Sequence, residues 1–495
     1  MSVSMTPSFR FIALVVVLAC PLRSAPPARH LFLDPAFLQK SEKAALHVNP
    51  PERREVVMRP DRPWEQLMIS FYTTVIEEDG KLRLWYICRD PKDRTHVAYA
   101  ESTDGVNWIK PNLGVVSYEG SKDTNLVELV SMEGTVFRDP KAAPEQRYSY
   151  ITHLWTEGMV RFYSADGYRW SRDTAPLVKL GADNQAVAFW DEPAGKYALY
   201  LRGWEQRADQ KRYRKVVRAD LPNLTEPLPV ASSEKSWFPW GKDKMAVIDR
   251  EFPQVLATDD ADPPDSDVYT ISAQTYPLDP RWYLGFPSFF QREKNQGDGR
   301  LDVECIGSRD GFHWNRYDRT PYARPGLAGS ENGGMVFIGP GMIVRGDEIW
   351  QYGTGFHLGH GEVGAFRMKK DRGGEVDGVI YRYVQRVDGF VSIDFDAAGG
   401  TALTAPVKVD GPRLALNLDT AVLGHLRVGL LDADGKAIAG FGVDDCQIIR
   451  KNATRAVVTW KGGADLATLQ GRDVQLTFTG AHAKLYSFYF VPDAP

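Results

Sequence analysis

The stretch Ser102-Thr103-Asp104-Gly105-Val106-Asn107-Trp108 returns as Ser164-Ala165-Asp166-Gly167-Tyr168-Arg169-Trp170 and again as Ser308-Arg309-Asp310-Gly311-Phe312-His313-Trp314. The steps between copies are 62 and 144 residues, and the longer one reads as two periods of about 72. Asp-Gly makes a tight turn, and the Trp three residues beyond the Gly packs into the strand layer beneath it. Alternating runs such as HVAYAES and MVRFYSA lead into the turn, as a strand should.

A second ladder runs alongside the first. Turn residues followed by an aromatic strand occur at EEDGKLRLWY, APEQRYSY, DEPAGKYALY, LDPRWYLGF and VRGDEIWQYG. Anchored on Tyr86, Tyr150, Tyr200, Tyr283 and Tyr352, the steps are 64, 50, 83 and 69 residues. Their mean of about 66 suits one propeller blade with insertions. The two ladders together predict an all-β chain with a five-bladed β-propeller over residues 51–387. From Asp388 the character changes to alternating strands with Asp-Gly and Gly-Gly turns, which predicts a C-terminal β-sandwich over 388–495. The Pro-rich segment 26–50 reads as an N-terminal strap.

Residues 1–25 carry an apolar run, FIALVVVLAC, behind Arg10, the layout of a secretory signal and too short to span a bilayer. Val17-Leu18-Ala19-Cys20 also resembles a bacterial lipobox, which makes Cys20 a candidate lipid anchor. No later run of about 20 apolar residues follows, so no transmembrane segment is expected. The chain is therefore expected to be exported, whether periplasmic, attached to the outer membrane as a lipoprotein, or extracellular. Cys88, Cys305 and Cys446 are too few for a disulfide scaffold and lack zinc-ligand spacing.

Composition narrows the function classes. The 495 residues include 60 Lys+Arg and 64 Asp+Glu, a net charge of −4, with no strong basic run. That removes the electrostatic footprint of a nucleic-acid binder. The 13 Trp, 21 Tyr and 23 Phe beside 44 Gly and 32 Pro fit short strands and many turns.

With the VAYAESTDGVNWIKPNLGVV and LRVGLLDADGKAIAGF segments in view, the chain resembles the superfamily of invertases, levanases and arabinanases, glycoside hydrolase families 32 and 43 and their relatives. The resemblance implies a funnel at the propeller axis in which acidic residues cleave a glycosidic bond. It also draws attention to Phe137-Arg138-Asp139-Pro140 and Glu304-Cys305, which read like that family's motifs for a sugar-steadying Asp and an acid/base Glu. The internal ladder places Asp139 at a hairpin turn and Glu304 in an outer strand, and an Asn-Asp-Pro nucleophile motif is absent. Asp139 and Glu304 are thus secondary candidates.

Glycoside hydrolysis needs two carboxyl groups flanking one bond. Acids at the upstream ends of inner strands would converge on the axis, and these are Glu65, Asp183, Asp267 and Glu331, with Glu133 beside Asp139 in the second blade. Glu65 and Asp183 are the first choice for the reacting pair. Trp64, Arg202, His357 and His360 are candidate substrate-binding groups, and Trp204, Trp237 and Trp240 are candidate stacking platforms. The reaction requires no cofactor, and a structural calcium ion stays open because it leaves no spacing signature. The expected partner is a carbohydrate substrate. Two other functions remain: a non-catalytic cell-surface sugar-binding or scaffold protein, and a sialidase-like hydrolase. The latter would need three arginines and a Tyr nucleophile, and the sequence suggests only Arg138 and Arg202 for the arginines.

Overall fold

A computed structural model describes residues 28–491 except 131–133, 155–156, 180–181, 184, 210, 230–251 and 294–296. The N-terminal signal and Cys20 lie outside the described residues, as do Glu133, Trp237 and Trp240.

Antiparallel units succeed one another along the chain. The first comprises Met68–Glu78, Lys81–Arg89 and Thr95–Ser102, and the second Thr135–Arg138, Tyr148–Leu154, Gly158–Ser164 and Ser171–Arg172. The third comprises Val187–Asp191, Lys196–Gln206, Arg212–Leu221 and Gln254–Leu256. The fourth starts with Ser266–Tyr276 and Asp279–Arg292 and continues through Gly299–Val303, Ile306–Ser308 and Trp314–Asn315. The fifth runs Met335–Ile338, Glu348–Phe356, Val379–Arg386, and takes its outer strand, Glu52–Met58, from the N-terminal side of the chain. A parallel pair at Leu301 and Met335 joins the last two units.

The inner strands surround one axis. Residues 74–76, 135–138, 187–189, 273–274 and 340–341 line a single channel of about 120 Å³. Tyr86, Tyr150, Tyr200, Tyr283 and Tyr352 each fall on the second strand of a unit. The residues around them are buried in nearly continuous runs, as in a central strand packed on both faces.

The Ser-x-Asp-Gly-x-x-Trp turns close the outer side of their units and also latch neighbouring units together. In the first turn Ser102 Oγ accepts from the Gly105 N–H at 2.8 Å. Asp104 Oδ1 accepts from Val106 N–H at 2.9 Å and Asn107 N–H at 2.8 Å. The Gly105 carbonyl then accepts the Tyr352 hydroxyl of the fifth unit at 2.9 Å. An equivalent bond runs from Trp85 to Gly167 at 2.9 Å and from Tyr200 to Gly311 at 2.8 Å. Glycine is required for two reasons: φ is +72° at Gly311, and a Cβ there would lie 2.7 Å from the Tyr200 hydroxyl.

The segment expected as a strap is sheet structure. His30–Leu31, Leu38–Glu42 and Ala44–Val48 pair with the C-terminal strands Asp473–Val491, Gly400–Thr404 and Val391–Phe395. These strands are short and carry no clean alternation, Leu38–Glu42 being exposed over its last four residues. The long strands Arg413–Leu431 and Asp473–Val491 pair through two register shifts, which bend them over a core that includes Phe32, Leu416, Val428, Phe478 and Phe488. Asp388 ties the two regions: its carboxylate accepts Tyr276 Oη at 2.7 Å and Ser487 Oγ at 2.6 Å and pairs with Arg29.

Candidate functional site

At the upstream ends of the inner strands, side chains from successive units gather around Arg202. Its Nη1 donates to Asp183 Oδ2 at 2.6 Å, while Nε and Nη2 donate to the Tyr269 carbonyl at 3.0 and 2.7 Å. Its guanidinium also lies 4.4 Å from the centre of the Tyr269 ring. Burial works against the Arg202 charge, but Asp183, Tyr269 and Tyr72 outweigh it and hold the pKa above its ordinary value. Tyr72 comes from the first unit, His153 from the second, Asp183 and Arg202 from the third and Tyr269 from the fourth. Burial lowers the His153 pKa to about 4, with Asp183 close enough to oppose the shift. Asp183 sits in left-handed backbone, φ 52°, in the loop that delivers it to the axis, and its side chain keeps 13% of its surface exposed.

The fifth unit completes the site through the helix His360–Met368, which lies between that unit's second and third strands in sequence. His360 Nε2 and the Tyr269 hydroxyl are 2.9 Å apart, and Nδ1 lies 2.8 Å from the Gly297 carbonyl. A carbonyl only accepts, so Nδ1 carries the proton and Nε2 accepts from Tyr269. Burial lowers the His360 pKa to about 4, keeping that ring neutral at neutral pH. Val363 and Phe366 of the helix pack with Tyr72, Tyr269, Phe290 and Phe337. Near the upstream ends of the inner strands lie buried polar atoms with no partner: Ser70 Oγ, Thr152 Oγ1, Gln185 Nε2 and Asn332 Nδ2.

Of the residues expected from sequence, Asp183, Arg202 and His360 meet here. Glu65 does not. It caps a short helical turn, Pro63–Glu65, accepting from the backbone N–H of Asp61 and Arg62 at 2.9 and 3.1 Å. It also takes Tyr86 Oη at 2.5 Å and Lys110 Nζ at 2.7 Å, and its surface is fully buried. The Glu65–Asp183 pairing is therefore corrected: Glu65 is enclosed beside the second strand of its unit. Trp64 is equally enclosed, its indole donating to Asn125 Oδ1 at 3.0 Å, so it offers no stacking face.

Asp267 is fully buried between Arg214 and Arg292, accepting the Arg214 N–H at 3.0 Å, which makes it an anchor for those arginines. Asp139 lies past the far end of its inner strand, where it accepts Tyr197 Oη at 2.8 Å and Lys141 N–H at 2.9 Å. Glu304 is held by Arg316 at 2.6 and 2.9 Å in a network with Asp262. Arg138 is 61% exposed and pairs with Glu78, away from Arg202. Trp204 is buried with the Arg214 guanidinium 5.0 Å from its ring centre.

Glu331 and His357 stand together elsewhere, at a cavity of about 360 Å³ whose walls include Arg59, Gly329 and Asp377. Glu331 is half exposed and pairs with Arg59. His357 Nδ1 lies 2.8 Å from Asp377 Oδ1, and that hydrogen bond raises the His357 pKa.

The sequence reading missed Tyr72, His153, Tyr269 and Arg214. Tyr72 and Tyr269 lie on inner strands, four and three residues after Met68 and Ser266 begin them, so the search for acids alone passed over them. Arg214 is a partner of Trp204 across two strands, a pairing no linear pattern reveals. Among the described residues no group of three or more His, Cys, Asp or Glu could hold a metal ion.

No family model and no curated protein matches the chain. Similar solved structures include a fructofuranosidase from Schwanniomyces occidentalis, 8% identical with TM-score 0.39, covering 88% of this chain and 96% of that one. A glycoside hydrolase family 43 arabinoxylan arabinofuranohydrolase from Bacillus subtilis is 11% identical with TM-score 0.33, covering 86% and 96%. An N-acetylgalactosamine deacetylase from F. plautii is 12% identical with TM-score 0.40, covering 70% and 96%. Structures similar to this one thus include glycoside hydrolases of the kind the sequence resembles, together with an enzyme named for a different reaction. Likeness at this level assigns neither a family nor an activity.

Proposed function

We propose that the protein is an exported carbohydrate-active enzyme, a glycoside hydrolase acting on oligo- or polysaccharide at the axial site. The observation that carries this reading is the convergence of Tyr72, His153, Asp183, Arg202 and Tyr269 from consecutive units on one partly open carboxylate. Aromatic faces suit the C–H faces of sugar rings, and the unpartnered Ser70, Thr152, Gln185 and Asn332 groups suit sugar hydroxyls. Asp183, oriented by Arg202, is assigned to one of the two carboxyl roles that hydrolysis requires, the one that meets the positive charge developing at the anomeric carbon. Export rests on the apolar run after Arg10.

A sialidase-like variant of this chemistry has one specific support. Arg202 and Arg214 lie 4.4 and 4.9 Å from the Tyr269 ring centre, and Arg292 shares Asp267 with Arg214. Two arginines thus stack on one tyrosine whose hydroxyl donates to His360, and Arg292 lies beyond them against Phe290 and Tyr213. The purified mature chain, screened against chromogenic neutral glycosides, sialosides and polysaccharides, tests both readings. Neutral-glycoside turnover that Asp183→Asn abolishes supports the first, and sialoside turnover that Tyr269→Phe abolishes supports the second. A sugar-binding scaffold would bind saccharides and turn over none of them.

A further inference from the structure

The cavity beside His357 is separate from the axial cluster, and one of its walls holds a buried acceptor without a donor. Asp377 is 3% exposed. Its Oδ1 already accepts the His357 N–H at 3.0 Å, His357 Nδ1 at 2.8 Å and the Gly378 N–H at 2.7 Å. Its Oδ2 is buried and has no partner, although Asp377 lines the cavity. Leaving such an oxygen unpaired costs on the order of 1–3 kcal/mol, which a donating ligand would remove. With Nδ1 tied to Asp377, Nε2 is the nitrogen His357 has left for a ligand, and 37% of that side chain is exposed.

The chemistry of the walls selects the ligand. Like charge at Asp377 Oδ2 disfavours an anion in contact with it, and the described residues include no cluster able to hold a metal. A hydroxyl group donates to Oδ2 and can either accept from or donate to an imidazole nitrogen, so adjacent hydroxyls satisfy both groups in either protonation state of His357. At about 360 Å³ the cavity falls in the size range of small-molecule sites. Its wall abuts the inner strand of the first unit: the Ile69 N–H donates to the Asp377 carbonyl at 3.1 Å, and Phe71 of the same strand packs on Phe356 and Phe337.

We infer that this cavity is a second saccharide subsite, in which Asp377 and His357 grip adjacent hydroxyls of a neutral furanose or pyranose ring while the exposed Arg59–Glu331 pair flanks the opening. This rests on the reading of the axial site as a sugar site and deepens it. The substrate is then a chain of at least two units, one at Asp183 and another at Asp377.

The test is calorimetric binding of neutral arabino-, fructo-, xylo- and galacto-oligosaccharides of one to five units to the full chain carrying Asp183→Asn, so that nothing is hydrolysed. In at least one series, adding the unit that reaches the cavity should tighten binding at least tenfold. In that background, His357→Phe should collapse the step, and so should Asp377→Asn. Because Asp377 also holds the backbone at His357 and Gly378, Arg59→Met and Glu331→Gln provide surface variants that should reduce the step without touching that framework. Binding with no step, or a step that survives His357→Phe in a folded protein, overturns the subsite and leaves the axial reading in place. Binding by none of the sugars at any length overturns both.

Discussion

The Ser-x-Asp-Gly-x-x-Trp turns and the upstream ends of the inner strands belong to the same units but treat buried polar groups in opposite ways. At the second turn Ser164 Oγ takes the Gly167 N–H at 2.9 Å, Asp166 Oδ1 takes two backbone N–H groups, and the Gly167 carbonyl takes Trp85. At the upstream ends, Thr152 Oγ1, Gln185 Nε2 and Asn332 Nδ2 are buried without partners, and Asp183 holds a left-handed backbone. A closed hydrogen-bond inventory, as at the first two turns, marks a device that assembles the ring. An open one marks a surface shaped for something that brings its own donors and acceptors. The repeated motif, though far more visible in the sequence, is therefore the less informative about chemistry.

The contrast predicts that the two regions fail differently when altered. The largest effect is expected at the axis. Asp183→Asn keeps the size of the side chain and its contact with Arg202 but removes the charge. Turnover of whichever glycoside the protein cleaves should fall by roughly 10³-fold or more, about 4 kcal/mol in barrier, with a lowered thermal midpoint as well because Arg202 gives up its buried counter-charge. A loss of less than tenfold would remove Asp183 from the reacting centre.

The turns should lose stability alone. In Gly311→Ala the new methyl would sit 2.1 Å from Arg218 Nη1 and 2.7 Å from the Tyr200 hydroxyl at a φ of +72°. Arg218 cannot easily withdraw, being fully buried and bonded to Asp191 and Asp220 at 2.7 and 2.8 Å. Overpacking and left-handed strain together should cost about 3 kcal/mol. Denaturant midpoints would register that loss, while activity per folded molecule should hold. Unchanged stability would show that the fourth unit does not depend on this latch.

Acid should also separate the regions, by the pH at which each loosens. His153 and His360 have pKa values lowered from 6.5 to about 4, chiefly by burial, so the unfolded chain binds their protons first. Their contribution to stability is whole above about pH 6.5 and declines as pH falls toward 4, at about 1.4 kcal/mol per pH unit for each. His30, in the C-terminal sheet, has the same shift and adds to the slope. The turn carboxylate of Asp310, in contrast, has its pKa lowered from 3.8 to about 2. Burial opposes that shift, but hydrogen bonds from His313, Phe312 and Ser308 outweigh it. Its contribution is complete above about pH 3.8 and is lost only as pH falls toward 2. Stability measured from pH 7 to 4.5 should therefore fall less steeply in His153→Gln and His360→Gln than in the parent chain. Equal slopes would contradict the burial of these rings.

The fold was legible because its repeats are local. The Asp-Gly turns and the tyrosine ladder are short-range patterns, and each tyrosine marks a second strand whose neighbours lie nearby in sequence. The N-terminal strands were not legible, since Leu38–Glu42 finds its partner at Gly400–Thr404, more than 350 residues away. The site was legible only in part, for a physical reason that Glu65 and Asp183 illustrate. Both acids precede an inner strand. Lys110, Tyr86 and two backbone N–H groups enclose Glu65, whereas Asp183 has Arg202 on one side and solvent on the other. The side-chain partners Tyr86, Lys110 and Arg202 come from other strands and loops, so sequence order placed both acids near the axis and could not say which one was satisfied elsewhere.

The smallest effect tests whether the three turns are equivalent. Ser102, Ser164 and Ser308 each accept the N–H of the turn glycine, at 2.8, 2.9 and 2.8 Å, and each serine is buried. Changing any one to Ala strands a buried donor and should cost about 1–2 kcal/mol. The surroundings differ in one respect: Trp108 and Trp170 donate to their own turn carbonyl at 3.2 and 3.1 Å, whereas Trp314 Nε1 has no partner. If the serine bond acts within its own turn, the three losses should agree to within about 0.5 kcal/mol and add when combined, as distant sites do. A clearly larger loss at Ser308 would mean that the indole bond shares the task of closing the turn in the first and second units, a support that the fourth lacks.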